Sequence, residues 1–197
     1  MQKLKTHGIT KDTPTNLLLG AGAFYKNLRY NEETMEWEHD DVIGATTGGG
    51  TINIEPEYYR PDIDGATVNV DGLVFKVGEK ASIEVTMAEL SKDVLKNTLH
   101  LREEVTTANG YTKLVSTRQI SRDDHLNSIG YVGTLTDGRQ IIFILPNAIC
   151  TSALEMNPQN KESASYSVTF EASASLERDN LDYLEYEIYY PNYLPTV

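Results

Sequence analysis

Two stretches of this chain alternate apolar and polar residues with the period of a strand. From Ser163 to Ser175, Ala164, Tyr166, Val168, Phe170 and Ala172 fall on one side and Ser165, Ser167, Thr169, Glu171 and Ser173 on the other, the pattern of a long strand with one wet face. Ala81 to Met87 alternates in the same way, with Ser82, Glu84 and Thr86 outward. Leu17 to Leu28 supplies a first apolar strand, and Thr51-Ile52-Asn53-Ile54 is a short half-buried one. Three pairs whose residues tolerate positive φ sit between strand-like runs and predict hairpins. They are Asp71-Gly72 between Thr67–Val70 and Leu73–Val77, Asn109-Gly110 between Glu104–Thr107 and Tyr111–Val115, and Asp137-Gly138 between Ile129–Leu135 and Arg139–Leu145. Thr34 to Glu38 is short and acidic around Trp37, and reads as a loop or a short edge strand.

Helical spacing appears once. Ser91 can cap an N-terminus, Asp93 suits a first turn, and Val94, Leu95, Thr98 and Leu99 form an apolar stripe, so a helix is predicted over Ser91–Leu101. Many strands, hairpin turns and one helix together predict a mainly β protein: an antiparallel β-sandwich or barrel flanked by one short α-helix. Residues 1–16 are polar and aperiodic and read as a flexible arm, leaving residues 17–197 as a single β domain.

Composition narrows the function. Against 17 Lys and Arg stand 29 Asp and Glu, a formal net charge of -12, and such a surface disfavours tight binding to a polyanion through phosphate neutralisation. The single cysteine, Cys150, excludes an internal disulfide framework, fits synthesis in a reducing cytoplasm, and is expected to be a buried thiol. No apolar run reaches the roughly 18 residues needed to cross a bilayer, and Leu17-Leu18-Leu19 is too short for a signal-peptide core, so the chain reads as soluble and unprocessed.

No catalytic or ligating constellation stands out. Asp123-Asp124-His125, with Ser121 and Ser128 nearby, has hydrolase residue types but no nucleophile elbow, and reads as a solvated loop. The histidines His7, His39, His100 and His125 are scattered without ligand spacing. Asp62-Ile63-Asp64-Gly65 lacks the later ligands of a calcium loop, with Ala66 and Leu73 in their places. Glu32, Glu33, Glu36 and Glu38 fit a solvated face better than a carboxylate pair. The expectation is a protein that is not an enzyme and carries no cofactor or metal. The Tyr content, 12 in all, points instead to contacts: Tyr58-Tyr59-Arg60-Pro61 lies in a turn-rich connection from Glu55 to Lys76 and has the composition of an interface anchor.

The glycines at the centre of the chain, Gly44-Ala45-Thr46-Thr47-Gly48-Gly49-Gly50, lead into a strand and lack the Lys-Ser or Lys-Thr and the helix of a phosphate cradle. The order Gly-Ala-Thr-x-Gly-Gly, strand, Glu55-Pro56-Glu57, an Asp-Gly-bearing loop, then Ala81 to Met87 before a short helix resembles the tail tube (major tail) proteins of long-tailed bacteriophages. Gln140 to Cys150 and Lys161 to Ala172 are similar to the closing strands of that family, so the resemblance covers about residues 17–190. It implies a structural virion subunit made in the bacterial cytoplasm, assembled into rings of six that stack as a hollow tube through which DNA passes without tight binding. It also implies contacts with other tail proteins, namely the tape measure, tail terminator and baseplate. Tyr58, Tyr59, Arg60, Asp62 and Asp64 become the candidates for contacts between rings or subunits, with the N-terminal arm and C-terminal segment touching neighbours. Ser82, Glu84, Thr86, Thr169 and Glu171 become the candidates to line the lumen. Two alternatives stay open: the inner tube of a contractile, phage-derived injection device, and a monomeric β-sandwich serving as a baseplate or binding module.

Overall fold

The computed structural model describes residues 6–158, 160 and 164–192. Its strands are β1 (Leu18–Lys26), β2 (Arg29–Asn31), β3 (Glu36–Glu38), β4 (Thr46–Tyr59) and β5 (Phe75–Met87); then, after helix α1 (Lys92–Leu99), β6 (Arg102–Glu104), β7 (Lys113–Val115), β8 (Leu126–Leu135), β9 (Gln140–Cys150), β10 (Tyr166–Glu171) and β11 (Glu187–Tyr189). The main sheet runs β1-β8-β9-β10-β5-β4, with β11 also on β9, and its pairings are antiparallel. The strands β2–β3 and β6–β7 form two separate hairpins.

β9 is the pivot that turns this path into two layers. One of its edges pairs with β8 from Gln140 to Ala148, while further partners divide its length, β11 at Ile142–Ile144 and β10 only at Ile149 and Cys150. The half-sheets β1-β8-β9-β11 and β10-β5-β4 share one apolar cluster, to which the first gives Phe24, Ile129, Tyr131, Leu145 and Ala148 and the second Ile83, Val85, Met87, Val168 and Phe170. This is a β-sandwich, and alternation built it: Val168 pairs with Val85 and Phe170 with Ile83, all inward, so a one-residue slip would turn the core face of either strand to water. Removing a side chain such as that of Phe170 from water stabilises by ~1.5–3 kcal/mol.

Helix α1 forms where its cap predicts. Ser91 Oγ accepts from the Val94 N–H at 3.2 Å, and His100 ends the helix in the left-handed region at φ 54°. Val94 and Thr98 are buried, whereas Leu99 is exposed. The His100 Nε2–H donates to the Cys150 carbonyl at 2.9 Å, which fixes the helix end to β9, and Cys150 itself is buried as expected.

The glycine cluster has a packing role. A bulge lies between Thr46 and Gly50, Gly48 and Gly49 have φ of 71° and 81°, and a Cβ on Gly50 would stand 2.5 Å from Phe24 Cζ and 2.8 Å from the Glu84 carbonyl oxygen. Absence of a side chain therefore lets β1 cross tightly over β4 and close that side of the sandwich. Gly50→Val is expected to destabilise by ~1–3 kcal/mol through overpacking, read as a lowered midpoint in denaturant with the slope unchanged.

Of the three predicted hairpins, Asp137-Gly138 closes as expected, with Leu135 N–H donating to the Arg139 carbonyl at 2.8 Å and Gly138 N–H to the Leu135 carbonyl at 2.9 Å. Asn109-Gly110 lies in the connection 105–112 between β6 and β7, which pair as predicted but over other bounds: β6 ends at Glu104, where the predicted run Glu104–Thr107 begins, and β7 keeps only Lys113–Val115 of Tyr111–Val115. Asp71-Gly72 is a correction. Thr67–Val70 forms no strand, and β5 pairs instead with β4, Phe75 opposite Tyr59 and Lys76 opposite Tyr58. Val68 and Val70 alternate but have nothing to bury against and stay exposed, whereas β4 is already held in register by Ile52 and Ile54 against the core. The strand predicted from Ser163 to Ser175 spans Tyr166–Glu171; Lys161, Glu162, Ser163 and Tyr193 lie outside the described residues, as do residues 1–5 of the arm. No described helix is long and apolar enough to cross a membrane.

Candidate assembly surface

The outer face of β10-β5-β4 is polar, and all five residues singled out from alternation lie on it. Glu84 stands between Thr51 and Thr169 in the register, and Ser82 between Asn53 and Glu171. Thr86 pairs with Ser167, their hydroxyl oxygens 3.4 Å apart. Next along the strands Lys80 pairs with Glu55, whose carboxylate accepts from Asn53 Nδ2 at 2.8 Å. Ser167 belongs to the wet side that alternation already marked, whereas Thr51 and Asn53 join this face only through pairing, because alternation within one strand does not say which strands are neighbours.

At one end the same sheet outgrows the core. From Glu55 to Tyr59 and from Phe75 to Lys80, β4 and β5 continue as a two-stranded arm, so the predicted loop Glu55–Lys76 is in part strand. Tyr58 and Tyr59 are each 55% exposed, and Phe75 and Val77 are exposed opposite and beside them. The tip 60–74 carries Arg60, Asp62 and Asp64 together with exposed Ile63, Val68, Val70 and Val74, and is shaped by turns in which Ala66 N–H donates to the Ile63 carbonyl at 3.0 Å and Leu73 N–H to the Val70 carbonyl at 3.3 Å. Exposed apolar residues gathered in this way are the composition of protein contact surfaces in general.

The base of the arm is pinned by Glu79. Its carboxylate, almost wholly enclosed, accepts from Leu184 N–H at 2.8 Å and from Lys76 Nζ at 2.5 Å. Burial raises the pKa of this group, but the hydrogen bonds from Lys76 and Leu184 outweigh it and hold the carboxyl below its ordinary value. The C-terminal segment is thereby tied to the arm.

Both terminal segments meet at the β8–β9 hairpin. Arg139 donates to Asp137 Oδ2 at 2.5 Å, to the Pro191 carbonyl at 3.0 Å and to Asn16 Oδ1 at 3.1 Å, while Thr136 donates through N–H to the Leu17 carbonyl at 2.9 Å and through Oγ1 to the Pro14 carbonyl at 2.5 Å. Beside them Leu17, Leu18, Leu19 and Tyr190 are exposed. Among the described residues the other C-terminal tyrosines, Tyr183, Tyr186 and Tyr189, make contacts within the chain. Arg178 lies 4.3 Å over the Tyr183 ring, and Tyr186 packs against the core. Tyr189 meets Trp37 edge-on at 4.8 Å, and its hydroxyl donates to Glu187 at 2.6 Å, a bond that, with burial, pushes the Tyr189 pKa up to about 12.

The clusters with chemical residue types make contacts within the chain. Asp124 is gripped by Arg102 at 2.5 and 2.8 Å and accepts from Ser121 N–H at 2.6 Å, closing a capping box. The Arg102 guanidinium holds its carboxyl well below the usual range against the opposing effect of burial. Asp124 thus anchors the segment before β8 to β6, a correction to the solvated loop the sequence predicts, while Asp123 beside it is exposed. Glu38 is ion-paired with Arg29 and accepts from Asn31 Nδ2 at 2.6 Å. Among the described residues no three His, Cys, Asp or Glu are grouped to hold a metal ion.

No family model and no curated protein matches this chain. Among solved structures, a chain of the virion of a native gene transfer agent particle is similar over 79% of this chain and 92% of its own, with 12% identity and a TM-score of 0.39. A chain of the tail of an empty particle of that kind, refined with C6 symmetry, has the same identity and coverage and a TM-score of 0.35. Likenesses this loose leave the role of the chain to be argued from its own geometry.

Proposed function

We propose that this chain is the structural subunit of a phage-type tail tube, forming stacked rings of six around a channel for DNA, and that it catalyses no reaction. The observation that carries the reading is the union on one half-sheet of two features: an open polar face with Glu84 and Glu171, backed by the core, and an arm of exposed apolar residues continuing from the same two strands. A wall needs the first and stacking needs the second.

Further support comes from the sheet edges. β4 ends the strand order, so its outward N–H and C=O groups are a template for strand addition. A heterologous contact that repeats by rotation closes a ring. On this reading the arm reaches the adjacent ring through Tyr58, Tyr59, Arg60, Asp62 and Asp64, and the terminal segments clamped by Arg139 touch neighbouring subunits. The net charge of -12 suits a conduit, because a wall that neutralises no phosphates does not retain DNA. Tape-measure, terminator and baseplate proteins of the same tail are the expected partners.

Negative-stain microscopy of concentrated protein, alone and with tail-initiating partners, is expected to show rings with six-fold symmetry and tubes built from them. Protein that stays monomeric at ~1 mM, a concentration at which even contacts of about -4 kcal/mol populate assemblies, overturns the reading.

A further inference from the structure

We propose that Asn109 is a site of spontaneous deamidation, a modification independent of the tube reading. In this reaction the Gly110 backbone nitrogen attacks the Asn109 side-chain carbonyl carbon, a new C–N bond closes a five-membered succinimide, and the amide nitrogen leaves as ammonia. The Gly110 N–H proton passes to solvent and the departing nitrogen takes one up. Water, the co-reactant, then opens the ring at either carbonyl and leaves aspartate or isoaspartate.

Asn109-Gly110 is the single Asn-Gly pair of the sequence; every other Asn is followed by a residue whose side chain crowds the attacking nitrogen. The pair sits exposed in the connection 105–112, next to fully exposed Val105 and exposed Tyr111. Its turn is closed by one bond, Tyr111 N–H to the Ala108 carbonyl at 3.2 Å, and among the described residues the Asn109 side chain and Gly110 N–H make none. Gly110 has φ of 80° and no atom within 4 Å of where a Cβ would lie, so there is room for the ring.

Similar turns in this chain are protected. At Asp137-Gly138 the carboxylate is held by Arg139 Nε at 2.5 Å and Arg139 N–H at 3.1 Å, while Gly138 N–H is engaged with the Leu135 carbonyl. At Asp64-Gly65 and Asp71-Gly72 the exposed side chain ends in a carboxyl group, whose carbon carries no amide nitrogen to leave as ammonia. Conversion at Asn109 adds one negative charge, and the isoaspartate form also inserts a methylene into the backbone of the turn.

The test is incubation of the folded protein in mildly alkaline buffer, followed by peptide mapping by mass spectrometry. The peptide containing Asn109 is expected to gain the mass difference between an amide and an acid before any other peptide, and to separate into two isomers. Asn109→Gln, an exposed change expected to leave the unfolding midpoint where it is, should lose that gain. An unchanged Asn109 peptide, or earlier conversion at another Asn or at an Asp-Gly pair, overturns the proposal.

Discussion

Replacing the arm tip 60–74 by a two-residue turn is expected to give a folded protein that forms no tubes. The tip makes none of the core: the apolar cluster draws on β4 no further along than Ile54, and β5 begins its run of buried residues at Ala81. Joining Tyr59 to Phe75, which already face each other in the ladder, shortens a connection and leaves the register intact. By loop-closure entropy that changes stability by only ~1–2 kcal/mol, in the stabilising direction. What is lost is the exposed set Ile63, Val68, Val70 and Val74, each contributing ~1.5–3 kcal/mol when buried in a contact, with Arg60, Asp62 and Asp64 as its polar rim. Because a stacked assembly repeats every contact around the ring, a small loss per subunit becomes total loss of stacking. Unfolding curves and electron microscopy on the same sample separate the two effects. Full-length tubes from the trimmed protein would show that the arm does not join rings. Trimming from Tyr58 instead would confuse the outcome, since Tyr58 and Tyr59 are ladder residues.

The arm also marks where reading the sequence stopped short. Pro56 with Asp62, Asp64 and Gly65 suggests a loop, because Pro donates nothing to a ladder. Here Pro56 lies on β4, the outermost strand, opposite Glu79 of β5, and a missing donor is tolerated at such an edge. Local alternation at Thr67–Val70 was misleading for the converse reason: it satisfies the period of a strand without an apolar surface to rest on. Where alternation and burial coincide, as in Ala81–Met87 and Tyr166–Glu171, the sequence was a sound guide to which face is buried, and Ser91 marked the helix start. Asp124 was opaque because its partner Arg102 is brought to it only by the fold. The pinning of the C-terminal segment by Glu79, across more than a hundred positions, was illegible for the same reason. Of the candidate sites, the wet face was legible residue by residue, while its neighbours Thr51 and Asn53 needed the register.

That face carries the second large effect. Glu84→Lys together with Glu171→Lys is expected to leave tubes intact and to slow DNA release from particles, most strongly at low salt. Both side chains are exposed, and neither forms an ion pair with a described residue. Their loss should therefore shift stability by no more than about 0.5 kcal/mol. Each substitution moves the charge of the face by two units toward positive, and Lys80 is already there opposite Glu55. A lysine that meets a phosphate releases about one counterion, so binding to the wall strengthens steeply as salt falls. Screening works in the same direction, with a Debye length of about 30 Å at 0.01 M against about 8 Å at 0.15 M. The measurement is the rate of DNA release from triggered particles as a function of ionic strength. Slowing that fades as salt rises supports an inward-facing sheet β10-β5-β4. A release rate identical to that of the unaltered protein at every salt concentration, or a tube map with both carboxylates on the outer surface, would remove this sheet from the lumen while leaving the arm's role to be decided by the truncation.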